Sequence, residues 1–119
     1  MDKFLFIYLE PAEKKGPEPT PQQMQAVMKQ WWDWLGQGQA AGWVVEMGDA
    51  LQPETRTVHA DLTITDGLHP EAKELVGGYT IVQAETIDAA AELAKGCPIY
   101  ESGGTVQVRP LAKVEIPTE

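Results

Sequence analysis

Several side chains that can take up or release protons lie within one short stretch, residues 59–79. His59 and Asp61 are two residues apart, and Asp66 and His69 follow. An imidazole beside a carboxylate suits acid–base chemistry, because the carboxylate raises the imidazole pKa and orients the ring. The pattern predicts a site for proton transfer or elimination on a small organic molecule. Its catalytic candidates are His59, Asp61, Asp66 and His69.

Further polar and aromatic groups could hold such a molecule at the rim of a cleft. The loop 66–79 is longer than the two to five residues that usually join strands, which is typical of functional loops. It offers a cation and a carboxylate, and an indole upstream would add an aromatic wall. The ligand-binding candidates are Lys73, Glu74, Tyr79 and Trp32.

Each candidate also has a structural interpretation. His59 and Asp61 could lie on a solvated strand face or form a link between subunits. Lys73 and Glu74 could brace their loop by ion pairs, and Trp32 could belong to a core or an interface. The sequence therefore leaves two functions open, an enzyme or ligand-binding protein with a polar cleft, and a non-enzymatic interaction module.

Charge and cysteine content exclude several classes of protein. Nine Lys and Arg against 18 Asp and Glu give a formal net charge of −9, which repels nucleic acid and anionic lipid. The lone Cys97 excludes an internal disulfide and a cysteine-based zinc site, and the two histidines match no established ligand spacing. The apolar run 4–9 is too short for a signal peptide or a membrane span. We expect a cytoplasmic protein with no metal, cofactor, nucleic acid or membrane partner.

The chain has the length of a single domain, residues 1–119, and its N-terminal half begins with a strand and a helix. The run 4–9 is apolar on both faces, as in a strand that is buried on both sides. Thr20, Pro21 and Gln23 form a capping box with proline at the first helical position. The buried stripe of this helix is predicted at Met24, Val27, Met28, Trp31 and Leu35, and Gly42 is predicted to end it.

The remaining elements alternate between strands and one more helix. Strands are predicted over 42–48, 57–65, 79–85 and 105–109, and the alternation over 57–65 is the most regular in the chain. Thr86 is predicted to cap a second helix whose buried stripe is Ile87, Ala90, Ala91 and Ala94.

This order of elements predicts an α+β fold of the ferredoxin-like βαββαβ type. Both helices then cover one face of a largely antiparallel sheet. Because the first strand is apolar on both faces, the uncovered face predicts a homodimer that meets through its sheets.

Segments in the same order along nearly the whole chain resemble the DGPF branch of the YCII-related family. They are residues 21–24, 41–44 with 51–53, 65–67 with 73–79, 92–98 and 104–110. The motif that names the branch, Asp-Gly-Pro-Phe, is here Asp66-Gly67-Leu68-His69, so its second half differs.

The resemblance implies a dimeric α+β barrel, in agreement with the pattern of elements. The YCII branch is thought to use a histidine in its first helix, followed by an aspartate. The first helix here has no histidine, so that pair has no counterpart. Members of the DGPF branch also occur beside or fused to extracytoplasmic-function sigma factors, which implies a regulatory partner of that class as an alternative to catalysis.

Overall fold

A computed structural model describes residues 1–13, 16–67, 72–114 and 117. Two long strands and one long helix make up most of its regular structure. The elements are β1 (Asp2–Pro11), α1 (Pro21–Ala41), β2 (Val44–Glu46), β3 (Arg56–Val58), β4 (Ile64–Asp66), β5 (Glu74–Ala84), α2 (Ile87–Ala94), a 3₁₀ helix (Pro98–Ser102) and β6 (Thr105–Pro110).

The main sheet has four strands in the order β2-β5-β1-β6, and every pair is antiparallel. The central strands β1 and β5 pair along their full length, from Asp2 opposite Ala84 to Pro11 opposite Glu74. α1 and α2 both pack on one face of this sheet. The predicted α+β ferredoxin-like fold is confirmed.

The two faces of β1 have different surroundings. Phe4, Phe6 and Tyr8 are buried beneath the helices. Leu5, Ile7 and Leu9 point to the opposite face, which we call the outer face, and are only partly buried. Within the part of the chain that the structure describes, a strand that is apolar on both faces is thus fully buried on one face alone.

α1 begins and ends as its sequence predicts. Thr20 accepts a hydrogen bond from the Gln23 amide at 3.2 Å, and the Gln23 side chain accepts one from the Thr20 amide at 2.8 Å. Two amides that have no partner inside the helix are thereby satisfied. Gly42 ends the helix at φ 88°, a left-handed conformation that glycine adopts without strain.

The predicted orientation of α1 about its axis is wrong. Trp34 and Gly38 are the buried residues of α1, whereas Trp31 and Leu35 are partly buried and pack against the core. A Cβ at Gly38 would lie 2.6 Å from the side chains of both Trp43 and Val44, so this turn packs tightly against the start of β2. The residues predicted as the start of the buried stripe, Met24 to Met28, are exposed because the first two turns have no partner in the described chain.

The prediction of one strand over 57–65 is also wrong. Residues 56–66 instead form a separate hairpin of β3 and β4, in which Thr57 pairs with Thr65 and Val58 with Ile64. The alternation of apolar and polar residues continues through the turn, so period alone did not reveal it. His59 and Asp61 therefore do not share a strand face.

Other boundaries differ in length. β2 is shorter than predicted, and β5 begins five residues earlier, at Glu74, so the loop before it is shorter too. Gly78 lies within β5. Glycine is needed at this position because the chain at Asp49 approaches closely, and a Cβ on residue 78 would lie 2.7 Å from the Asp49 carbonyl oxygen. In α2, Thr86 caps the helix as predicted, and Ala90 and Ala94 are buried, but Ile87 and Ala91 are exposed.

Replacing Trp34 by alanine should destabilise the fold more than replacing Trp31. Trp34 is buried and stacks on Phe6 with ring centroids 6.2 Å apart, so Trp34→Ala should cost about 3–5 kcal/mol of unfolding free energy. Trp31 is partly exposed and should cost less. Denaturant titrations of both variants measure this, and equal losses would contradict the orientation of α1.

The single thiol should be inert in the folded protein. Burial raises the pKa of Cys97 to about 12, so the reactive thiolate is scarce near neutral pH. Because the pKa of Cys97 is higher in the folded than in the unfolded protein, burying the neutral thiol favours the folded state. This contribution to the free energy of unfolding is complete below the ordinary thiol pKa and is lost as the pH rises towards 12. A thiol-specific reagent near pH 8 should label denatured protein at once and folded protein slowly; equal rates would show an accessible thiol.

Candidate functional site

His59 lies in the turn of the β3–β4 hairpin and is exposed. Its Nε2 is 2.8 Å from the Thr65 hydroxyl oxygen, and its main-chain amide donates to the Thr63 carbonyl at 2.8 Å. Both contacts are made within the hairpin. The imidazole thus reaches from the turn to Thr65 on β4, the register partner of Thr57.

The Asp61 carboxylate stabilises the same turn by bonding to Thr63 and not to His59. One carboxylate oxygen accepts hydrogen bonds from the Thr63 hydroxyl at 2.7 Å and the Thr63 amide at 3.0 Å. These two donors lower the pKa of Asp61, because they stabilise its ionised form. Among the described residues, no hydrogen bond or ion pair joins Asp61 to His59. The structure therefore does not bring these two candidates together as an acid–base pair.

Asp66 ends β4 and is engaged by a cation that the sequence analysis did not select. Its carboxylate lies 3.1 Å from Arg56 Nε, and a terminal nitrogen of Arg56 lies 3.3 Å from Glu54. All three side chains are exposed, so these ion pairs contribute little stability by themselves. Arg56 and Asp66 are register partners, and their contact closes the open end of the hairpin.

The candidates nearer to β5 are spread over separate surfaces. His69 lies outside the described residues. Lys73 and Glu74 are exposed, and the Lys73 carbonyl accepts a hydrogen bond from the Ala12 amide at 2.8 Å, which joins the start of β5 to the end of β1.

Tyr79 and Trp32 lie on opposite faces of the sheet. Tyr79 pairs with Ile7 on the outer face, while Trp32 is exposed on α1, on the helix side. Desolvation is the main cause that raises the pKa of Tyr79, and the negative charges of Asp49 and Glu46 raise it further. The two proposed ligand contacts therefore cannot line one cleft in a single copy of the chain.

A shallow cavity of about 840 Å³ lies at the end of the sheet where β1 begins. It is formed by residues 1–4, the start of α2 at Thr86 and Ile87, and residues 110–113. None of the candidate site residues that the structure describes lines it. Over the described ranges, no group of three or more His, Cys, Asp or Glu side chains is arranged to hold a metal ion.

The sequence did not indicate one buried series of hydrogen bonds, because its residues are of types that are ordinary in strands. The Tyr8 hydroxyl donates to the Thr80 hydroxyl at 2.6 Å, which in turn donates to the Met47 carbonyl at 2.8 Å. Burial raises the pKa of Tyr8, which remains protonated and able to donate. The series links β1, β5 and the segment after β2, and every member is satisfied, so it serves to align strands.

Acid should weaken the hairpin turn through Asp61. The pKa of Asp61 is lower in the folded than in the unfolded protein, so its ionised carboxylate stabilises the turn at pH values above the ordinary carboxyl pKa. This stabilisation is lost as the pH falls through the lowered pKa. The Thr63 amide resonance, followed by NMR across that range, should shift with this low pKa. Asp61→Ala should abolish the shift at Thr63, and a shift that survives the substitution would contradict the assignment.

Comparison with known proteins identifies one family. The profile of the YCII-related domain matches residues 1–115. No curated protein matches the chain significantly. Among the helices of the described residues, none is long and apolar enough to cross a membrane.

Proposed function

The chain belongs to the YCII-related domain family, and we propose that it is a non-enzymatic interaction module that works as a homodimer joined through the outer faces of two sheets. The observation that carries this proposal is β1, which is apolar on both faces and covered on one. Burying the second face against an identical sheet satisfies both copies at once, as in an isologous two-fold dimer.

The outer face has the composition of an interface. The register places Leu5 beside Ile81 and Ile7 beside Tyr79, so aliphatic and aromatic groups adjoin across the two central strands. On the edge strand β6, Arg109 is opposite Leu5 and Gln107 is opposite Ile7. An apolar centre with a polar border is typical of protein–protein contacts.

The catalytic candidates support an interaction role better than an enzymatic one. His59 and Asp61 are engaged by threonines of their own hairpin, and Asp66 is paired with Arg56. These contacts explain the residues as turn and hairpin stabilisers. Beyond the outer face, large apolar side chains are exposed on α1 and on the hairpin as well, which is a property of surfaces that bind other proteins.

A charge at the centre of the outer face should dissociate the dimer. Ile7→Glu would bury a carboxylate in this interface, so wild-type protein should sediment as at least two chains at micromolar concentration, and the apparent dissociation constant of the variant should be at least about tenfold higher. Gln37→Glu, which adds the same charge on an exposed turn of α1, should leave the mass unchanged. A wild-type mass of one chain would overturn the proposal.

A further inference from the structure

The β3–β4 hairpin carries an apolar surface that its own chain leaves exposed. Val58, Leu62 and Ile64 keep 61%, 80% and 66% of their surface accessible. Val58 and Ile64 are register partners, so they share one face of the hairpin. A two-stranded hairpin has little stability in water without an apolar surface to pack against. The exposed face therefore favours a contact outside this copy of the chain.

The tip residue Leu62 is an unusual choice for its position. It lies at φ 72°, the only non-glycine residue with positive φ in the described chain, and its amide donates to the His59 carbonyl at 2.8 Å. Glycine or asparagine adopts this conformation with less strain. A branched apolar side chain that is both strained and exposed gains nothing within its hairpin. Such an outlier points to a contact made elsewhere.

The first two turns of α1 carry a second exposed apolar surface, which we call the helix stripe. It consists of Met24, Val27 and Met28, whose accessible fractions are 56%, 42% and 53%. Their spacing of three and four residues places them on one side of the helix. Methionine side chains adapt their shape to an inserted group, so the stripe suits a projecting side chain such as Leu62.

Both surfaces belong to the same end of the sheet. α1 follows the end of β1 at Pro11, and the hairpin leads into the start of β5 at Glu74, which is the register partner of Pro11.

We propose that the hairpin of one copy docks on the helix stripe of a second copy, with Leu62 inserted between Met24 and Met28, and that the second copy does the same in return. Within one copy both surfaces are exposed and neither covers the other, and a second copy would supply a matching surface to each. This contact uses a different surface from the outer face of the sheet and does not depend on it.

The area available matches what such an association needs. With accessible fractions between 42% and 80%, the six side chains expose roughly 80 Å² of apolar surface each on average, so a reciprocal contact that covers them buries on the order of 500 Å² of apolar area per copy. A standard interface buries about 800 Å² per partner, of which a little over half is apolar. The hairpin or the helix stripe by itself would supply too little, and their exchange supplies enough.

Disulfide trapping between two variants that each carry one added cysteine tests the contact directly. L62C, carrying a size tag, is mixed with M28C and oxidised; Cys97 is buried and can remain. The expected main product is the mixed disulfide, formed at least about tenfold more than with the pair L62C and Q37C, whose helix position faces away from the stripe. No excess over that control, or a disulfide within one chain of the double variant L62C/M28C, would overturn the proposal.

A second variant separates docking from folding. Leu62→Gly removes the inserted side chain and relieves the strain, so the unfolding midpoint measured at low protein concentration should hold or rise. In Ile7→Glu protein, which lacks the sheet-face contact, Leu62→Gly should weaken the remaining self-association about tenfold or more. Unchanged association would overturn the proposal. Repeating the trapping in Ile7→Glu protein distinguishes the two contacts, because a mixed disulfide that persists there supports hairpin docking even where the sheet-face dimer fails.

Discussion

The position of Trp34 between Phe6 and Trp43 determines much of this structure. Its ring stacks on Phe6 at 6.2 Å with 9° between the planes, and its centroid lies 5.5 Å from that of Trp43. Aromatic pairs of this kind add about 0.5–1.5 kcal/mol each beyond their buried area. Because the cluster fixes the second half of α1 against the sheet, the first two turns extend past it. The exposed apolar side chains on those two turns follow from that placement.

The parts of the fold that local signals specify were predictable from the sequence. The capping box at Thr20, the terminator Gly42 and the doubly apolar run of β1 each have a physical cause within a few residues, and together they indicated the ferredoxin-like order. The orientation of α1 was not predictable in this way. Periodicity reports which side chains share a side of a helix, but it cannot report which of them another element covers.

The candidate site failed to assemble for a related reason. The prediction that His59 and Asp61 share a face required an unbroken strand. The turn between them contains no glycine or asparagine, so the sequence did not indicate it. The Asp61 contact with Thr63 and the positive φ of Leu62 become visible only with coordinates. Likewise, Tyr79 and Trp32 are individually reasonable ligand contacts, and only the sheet topology shows that they lie on opposite sides.

The antiparallel pairing of β1 has a consequence for synthesis on the ribosome. Phe6 is opposite Thr80 on one side and Val108 on the other, so both neighbours of β1 are translated long after it. Until they emerge, a strand that is apolar on both faces has no sheet to join. Contacts this distant in sequence slow folding, and β1 is made with both apolar faces exposed before either of its neighbours exists. A factor that shields β1 until β5 and β6 have been translated would therefore protect the chain from aggregation at this stage.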